Sequence, residues 1–310
     1  MRVVLVDPSR TVLKLVGRLL EARGHEVCAF TNGEAALDCI KSDLSVGAVI
    51  TSAELTSMSG MELCWEARLL ATCNRQIYVI LMSSSRDRHQ LIEALDSGAD
   101  DYIGKPPIAE ELYARLRAAE RVAAMHNELI RLATTDPLTG VLNRRAFFER
   151  AQEVCARADA GGALTAILFD IDHFKRVNDL YGHDVGDKAI SAVAHQAAGE
   201  DLIVGRLGGE EFAALVDGRG LDDALAMAER LRVKMAALQF ATSHGPMTLT
   251  CSLGVSEWEP GDTIDLLLKR ADVALYAAKT GGRNRVIAAN AGRPVETVST
   301  GGFLRSVARG

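Results

Sequence analysis

The sequence predicts two α/β units joined by a helical rod, and three observations lead there. The chain has 310 residues, about twice a common domain size. Short β-branched runs alternate with amphipathic segments through residues 1–107, the pattern of a doubly wound parallel sheet. After a stretch with neither Gly nor Pro, residues 108–133, strands and helices return in the mixed order of an α+β domain.

In the first unit, residues 2–6 (RVVLV) form a strand stopped by Asp7-Pro8-Ser9, and Val12, Leu15, Val16, Leu19 and Leu20 then recur at helical spacing. The pattern repeats with strands at 25–30, 46–51, 77–82 and 102–103, and with helices starting near Glu34, Met61 and Arg88. Five parallel strands place function at their carboxyl ends, which hold Asp7, Ser52, Ser83 and Lys105. In the rod, Leu112, Leu116, Ala119, Ala123, Met125 or His126, Ile130 and Ala133 make a heptad-like stripe over roughly 40 Å. Its length and small stripe residues favour a two-chain coiled coil over a single amphipathic helix resting on the first unit, with His126 as a packing residue.

The second unit opens with a turn at 134–143 and a helix from Arg144. Strands follow at 164–171, 202–204, 212–216, 249–255 and 285–288, with helices at 221–238 and 264–278. Residues 291–310 are Gly-, Ser-, Thr- and Arg-rich without periodicity and read as a disordered tail.

Composition narrows the function classes. Net charge is −6, aromatics are 5%, and no segment is a basic arm, which argues against nucleic-acid binding. Cysteines 28, 39, 64, 73, 155 and 251 never form C-x-x-C, which excludes a zinc ribbon and fits reduced thiols. Apolar runs fall far short of the ~18 residues a membrane span needs, and Asp7-Pro8 interrupts any leader-like run. The expectation is a cytoplasmic protein with no membrane partner.

The chemistry concentrates in the second unit. Asp170 ends one strand, and Glu210 and Glu211 sit beside Gly208-Gly209 in a hairpin turn. If the strands are neighbours, three carboxylates converge, and such a cluster calls for a divalent cation. Asp172 reads as a cap for the helix that begins at His173, Asp136 as a turn residue, Arg206 as a brace for the turn, and Phe169, Phe174 and Phe212 as core.

Five motifs occur in order here: Asp136-Pro-Leu-Thr-Gly-Val-Leu-Asn143, Phe169-Asp-Ile-Asp-His-Phe-Lys175, Asn178-Asp-x-x-Gly-His183-x-x-Gly-Asp187, Gly208-Gly-Glu-Glu-Phe212, and Ala271-Asp-x-Ala-Leu-Tyr276 continuing to Lys279 and Arg283. Together they resemble a GGDEF-family diguanylate cyclase. The resemblance implies a palm-like nucleotide cyclase fold over residues 134–290 and condensation of two GTP into cyclic di-GMP and two pyrophosphates. It also implies Mg2+ or Mn2+ held by Asp170, Glu210 and the carbonyl of Ile171. Asn178 and Asp187 match the guanine-reading pair, with His183 between them; Lys175, Lys279 and Arg283 match phosphate contacts. Glu211 is a ligand or a proton acceptor. The R-x-x-D product site that many members carry is absent, since Gly199-Glu200-Asp201-Leu202 stands there.

Residues 1–120 resemble a response-regulator receiver domain, through Asp7, the Ser57-Met58-Ser59-Gly60 turn, Ser83 and Lys105-Pro106. Receivers are phosphorylated on an aspartate eight residues before that glycine; this chain has Ser52 there, and Pro8 replaces a second acid. A hydroxyl cannot form an acyl phosphate, and Asp7 alone is a poor Mg2+ cage. Substitution by Glu54 and modification of Ser52 are the alternatives to a domain kept for packing, dimerisation or partner docking. The combined expectation is an enzyme acting as a homodimer through receiver and stalk, open to a regulatory protein partner. Its rival is a catalytically silent module that binds GTP or cyclic di-GMP and signals by protein contacts.

Overall fold

The computed structural model describes residues 1–72, 75–84, 88–242 and 245–289, without the side chains of 88–91. Cys73 and the tail expected to be disordered lie outside the described residues. The chain divides into two compact units, Met1–Arg131 and Leu132–Gly310.

The first unit runs β1 (Arg2–Val6), α1 (Arg10–Glu21), β2 (Glu26–Phe30), α2 (Gly33–Ser42), β3 (Val46–Ser52), α3 (Gly60–Leu70), β4 (Tyr78–Ser83), α4 (Arg88–Asp96), β5 (Asp101–Gly104) and α5 (Ala109–Thr134). The strands form one parallel sheet in the order β2-β1-β3-β4-β5. β1, β3 and β4 are buried along nearly their whole length, which is why they read as continuous apolar runs and not as alternating ones. The strand order reverses between β1 and β3, so the crevice at their carboxyl ends falls at Asp7 and Ser52. Side chains start the helices: Ser9 accepts from the Val12 N–H, Asn32 from Ala35, and Ser59 with Glu62 forms a capping box. Gly60 is needed sterically, because a Cβ there would lie 2.0 Å from the Ser52 carbonyl oxygen.

The rod exists as the 26-residue α5, but its stripe needs correction. Leu112, Leu116 and Ala119 are buried in the core of the first unit, beside Leu5, Ile50 and Ile103, and so are not available to a second chain. The apolar side chains that α5 leaves exposed are Val122, Met125, Leu129 and Leu132, at 3-4-3 spacing.

The second unit runs α6 (Arg144–Asp159), β6 (Leu164–Ile171), α7 (Phe174–Tyr181), α8 (His183–Ala198), β7 (Ile203–Gly208), β8 (Glu211–Asp217), α9 (Leu221–Ala236), β9 (Phe240–Thr242), β10 (Gly245–Met247), β11 (Cys251–Glu257), α10 (Ile264–Thr280) and β12 (Val286–Ala288). Five strands make a mixed sheet in the order β12-β11-β6-β8-β7, antiparallel except for β11 with β12. β6 lies in the middle and is buried at all eight positions. Phe169 and Phe212 face each other across β6 and β8, their rings stacked at 5.1 Å and 7°. Three elements are additional to those read from sequence: α8 as a continuous helix, and β9 and β10, which pair separately. Among the described residues no helix is long and apolar enough to cross a membrane.

Candidate active site

Central placement of β6 sets Asp170 near that strand's carboxyl end, between two neighbouring strands, with only 6% of its surface exposed. Its cross-strand neighbours are Glu211 on β8 and Ser252 on β11. The turn from β7 to β8 is possible because Gly209 adopts φ 53°, a left-handed conformation, and it puts Glu210 and Glu211 half-buried beside Asp170. Burial is the main cause that lifts the Asp170 carboxyl to about 6; Lys279 opposes the shift, and Glu210 and Glu211 add to it. Glu211 is raised as well, again chiefly by burial.

Glu210 and Glu211 both act on Asp170, and that carboxyl is already paired with a cation of the chain itself. Lys279, on the last turn of α10, places its Nζ 2.8 Å from Asp170 Oδ2. Among the described residues no group of three or more His, Cys, Asp or Glu closes into a metal cage. Like charges cannot crowd one carboxylate without a cation, and here an ammonium fills that place. Sequence reasoning passed over Asp272, half-buried and with a carboxyl raised by burial. It lies seven residues before Lys279, two turns along one helix face, and that spacing was the available signal.

Arg206 braces the Gly-Gly turn as expected: its Nε donates to the Gly209 carbonyl at 2.8 Å, and its Nη1 lies 3.0 Å from Asp136 Oδ1. Asp136 also accepts from the Thr139 N–H and hydroxyl, which closes the 134–143 turn. Asp172 is not a helix cap. His173 occupies the N-cap of α7 without a side-chain cap bond, while Asp172 is buried and bonded to Thr250, Ser252 and the Asn284 N–H.

Asn178 lies on α7 with its Oδ1 buried and without a hydrogen-bond partner, an acceptor left open. Gly182 (φ 82°) both ends α7 and starts α8, and Gly186 on α8 clears room for Asn178: a Cβ there would sit 1.9 Å from that oxygen. Asp187 follows on α8 and is exposed, as are His183 and Lys175. Arg283 is half-buried in the turn after α10, at φ 62°. Ile171 is buried at the end of β6. The structure thus gathers Asp170, Glu210, Glu211 and Lys279 in one electrostatic group and sets Asn178 at a helix corner, while Lys175 and His183 stand on the surface.

Diguanylate cyclase, GGDEF domain, is the family that matches residues 133–285. The second unit is a GGDEF domain. The response regulator receiver domain family matches residues 3–117 ahead of it. Response regulator PleD of Caulobacter vibrioides is 37% identical over 227 residues, covering 69% of this chain and 50% of that protein. Diguanylate cyclase DgcP of Pseudomonas aeruginosa is 40% identical over 185 residues, covering 57% of this chain and 28% of its own length. The chain thus spans half or less of these two relatives. For the GGDEF domain there is also a solved likeness, the coiled coil and GGDEF domain of DgcB from Caulobacter crescentus in complex with c-di-GMP. It is 35% identical with a TM-score of 0.52, covering 57% of this chain and 99% of that one.

In the receiver domain the crevice is a closed polar network. Lys105 Nζ lies 2.5 Å from Asp7 Oδ2 and donates to Ser52 Oγ at 2.6 Å. Ser52 Oγ also donates to the Glu54 carbonyl and accepts from the Glu54 N–H. The Glu54 carboxylate reaches Ser83 Oγ at 3.4 Å and Lys105 at 3.8 Å. Asp7 and Ser52 are both fully buried.

Proposed function

We propose that this chain is a diguanylate cyclase, condensing two GTP into cyclic di-GMP with release of two pyrophosphates, in the cytoplasm and as a dimer. The observation that carries the reading is Asp170: a buried carboxyl lifted to about 6, flanked by Glu210 and Glu211, with a lysine ammonium already upon it. Such a group is built to hold a cation. Asp170, Glu210 and the Ile171 carbonyl are hard oxygen donors suited to Mg2+ or Mn2+, ions that take their other places from water and substrate phosphates and so need no closed protein cage. When bound, the ion neutralises triphosphate charge and makes the 3′-hydroxyl easier to deprotonate.

The chain's own residues supply the rest. Asn178 Oδ1 accepts from a guanine N–H, and Asp187 takes a second. Lys175, Lys279 and Arg283 hold phosphates, with Lys279 exchanging Asp170 for the triphosphate. Glu211 is the acid beside the metal ligands that can take the proton from the 3′-oxygen as that oxygen bonds to the α-phosphorus and pyrophosphate departs. Gly186→Ala tests the guanine corner. Because Asn178 must turn aside, KM for GTP is expected to rise about 10-fold or more with a smaller change in kcat. An unchanged KM would remove Asn178 from the site.

Each GGDEF domain holds one GTP, so two copies must meet. The exposed stripe Val122, Met125, Leu129 and Leu132 supports α5 as part of that contact. Leu129→Glu is expected to shift sedimentation to the monomer and to lower activity per chain about 10-fold at sub-micromolar protein, recovering as concentration rises. Activity independent of concentration in that variant would exclude the stalk. For the receiver, a serine at the end of β3, held by Lys105 and the Glu54 backbone, supports an input other than aspartyl phosphorylation. The test of the whole reading is chromatographic: purified chain, GTP and Mg2+ should yield cyclic di-GMP. GTP binding without any cyclic dinucleotide at high protein concentration would instead favour the silent module.

A further inference from the structure

We propose that Asp172 is a positioning residue that keeps the cation-bearing segment 279–284 in place after Lys279 has left Asp170. The inference rests on the GTP-binding reading above.

Arg283 and Asn284 both adopt left-handed backbone angles, φ 62° and 46°, and neither is glycine. Two such residues in succession persist only where the surroundings hold them. The Arg283 N–H donates to the Ala278 carbonyl at 2.9 Å. The Asn284 N–H donates to Asp172 Oδ2 at 3.0 Å, and Arg232 Nη1 donates to Asn284 Oδ1 at 2.7 Å. Asp172 is itself oriented from β11 and the residue before it, since Thr250 Oγ1 donates to its Oδ2 at 2.7 Å and Ser252 Oγ to its Oδ1 at 2.6 Å. Its own N–H donates to the Thr250 carbonyl at 2.8 Å.

Asp170 and Asp172 therefore grip the two ends of one short segment, the first through Lys279 and the second through Asn284. Were Asp170 to hold a divalent cation, Lys279 would lose its partner and that end of the segment would be free. The Asn284 end is untouched, because none of its bonds involves Asp170. Asp172 thus presents Arg283, and the backbone from which Lys279 extends, to the outer phosphates.

The full-length chain carrying Asp172→Ala tests this. The substitution removes both carboxylate oxygens, so the Asn284 N–H and the Thr250 and Ser252 hydroxyls lose their acceptor. KM for GTP, and Kd for a non-hydrolysable GTP analogue with Mg2+, are expected to rise about 10-fold, with kcat less affected. Kd for GMP, which lacks the outer phosphates, is expected to change less than about 2-fold. Equal weakening of analogue and GMP would indicate a merely structural role and overturn the proposal, as would no weakening of either. A wild-type chain that binds no analogue would instead sink the GTP reading, and this inference with it. Should the variant fail to fold, hydrogen exchange in the wild type decides. The Asn284 amide should stay protected when Mg2+ and the analogue are added, and its exposure on binding would overturn the proposal.

Discussion

Asp170→Asn is expected to abolish cyclic dinucleotide synthesis, by roughly 10³-fold or more, while leaving the metal-free protein at least as stable as the wild type at pH 7.5. The two halves have one cause. In the folded chain this carboxyl titrates near 6, above its ordinary value of 3.8, chiefly because it is buried. A folded-state value above the unfolded one means that the native state binds the proton more tightly. Stability from this group is therefore present below about pH 4, declines as pH rises toward 6, and is fully lost above 6. Asparagine does not titrate, so the stability difference between variant and wild type should grow from near zero at pH 4 to on the order of 1 kcal/mol or more at pH 7.5. Titrating groups away from the site are common to both proteins, so the difference reports Asp170 together with Lys279, Glu210 and Glu211, the charges coupled to it. Urea melts at the two pH values measure it, alongside a product assay. A variant that keeps more than about 1% of activity would show that Asp170 is not a ligand, and one destabilised equally at both pH values would show that its carboxyl is not raised by burial.

How much of this was legible in the sequence depends on how far each interaction reaches along the chain. β6 could be read to the residue, because six apolar or strand-forming positions run into a carboxylate at 170, and the Gly-Gly turn announced its own hairpin. The stalk was half legible. Its helix followed from the absence of Gly and Pro, but spacing does not distinguish a helix packed on its own sheet from one packed on a partner. Leu112, Leu116 and Ala119 satisfy both patterns and belong to the first. Asp172 was misread because capping is a local signal, whereas its actual partners lie 78, 80 and 112 residues away. The same distance hid the Lys279–Asp170 pair: the motif marked both residues but said nothing of their contact before substrate arrives. β9 and β10, three residues each, are too short to show any period.

Gly254→Ala should be among the most damaging single substitutions to stability, and it ties stability to the site. Gly254 lies on β11 between Leu168 of β6 and Ile287 of β12. A Cβ there would come 2.1 Å from the Ala271 carbonyl oxygen and 2.3 Å from the Leu275 nitrogen. Both are backbone atoms of α10, so no rotamer change relieves the clash and the helix as a whole must retreat. Leu267, Ala271 and Leu275 bury the face of α10 that meets the sheet, and withdrawal opens that contact. The expected loss is roughly 3 kcal/mol or more in urea unfolding. Gly199→Ala provides the contrast: at φ −76° its Cβ would meet nothing closer than 3.6 Å, so its loss should be small. Because α10 carries Lys279 toward Asp170, the molecules of Gly254→Ala that remain folded should also turn over GTP more slowly, whereas those of Gly199→Ala should not. A Gly254→Ala protein as stable and as active as Gly199→Ala would mean that α10 does not rest on β11 this closely, and that Lys279 reaches Asp170 by some other support.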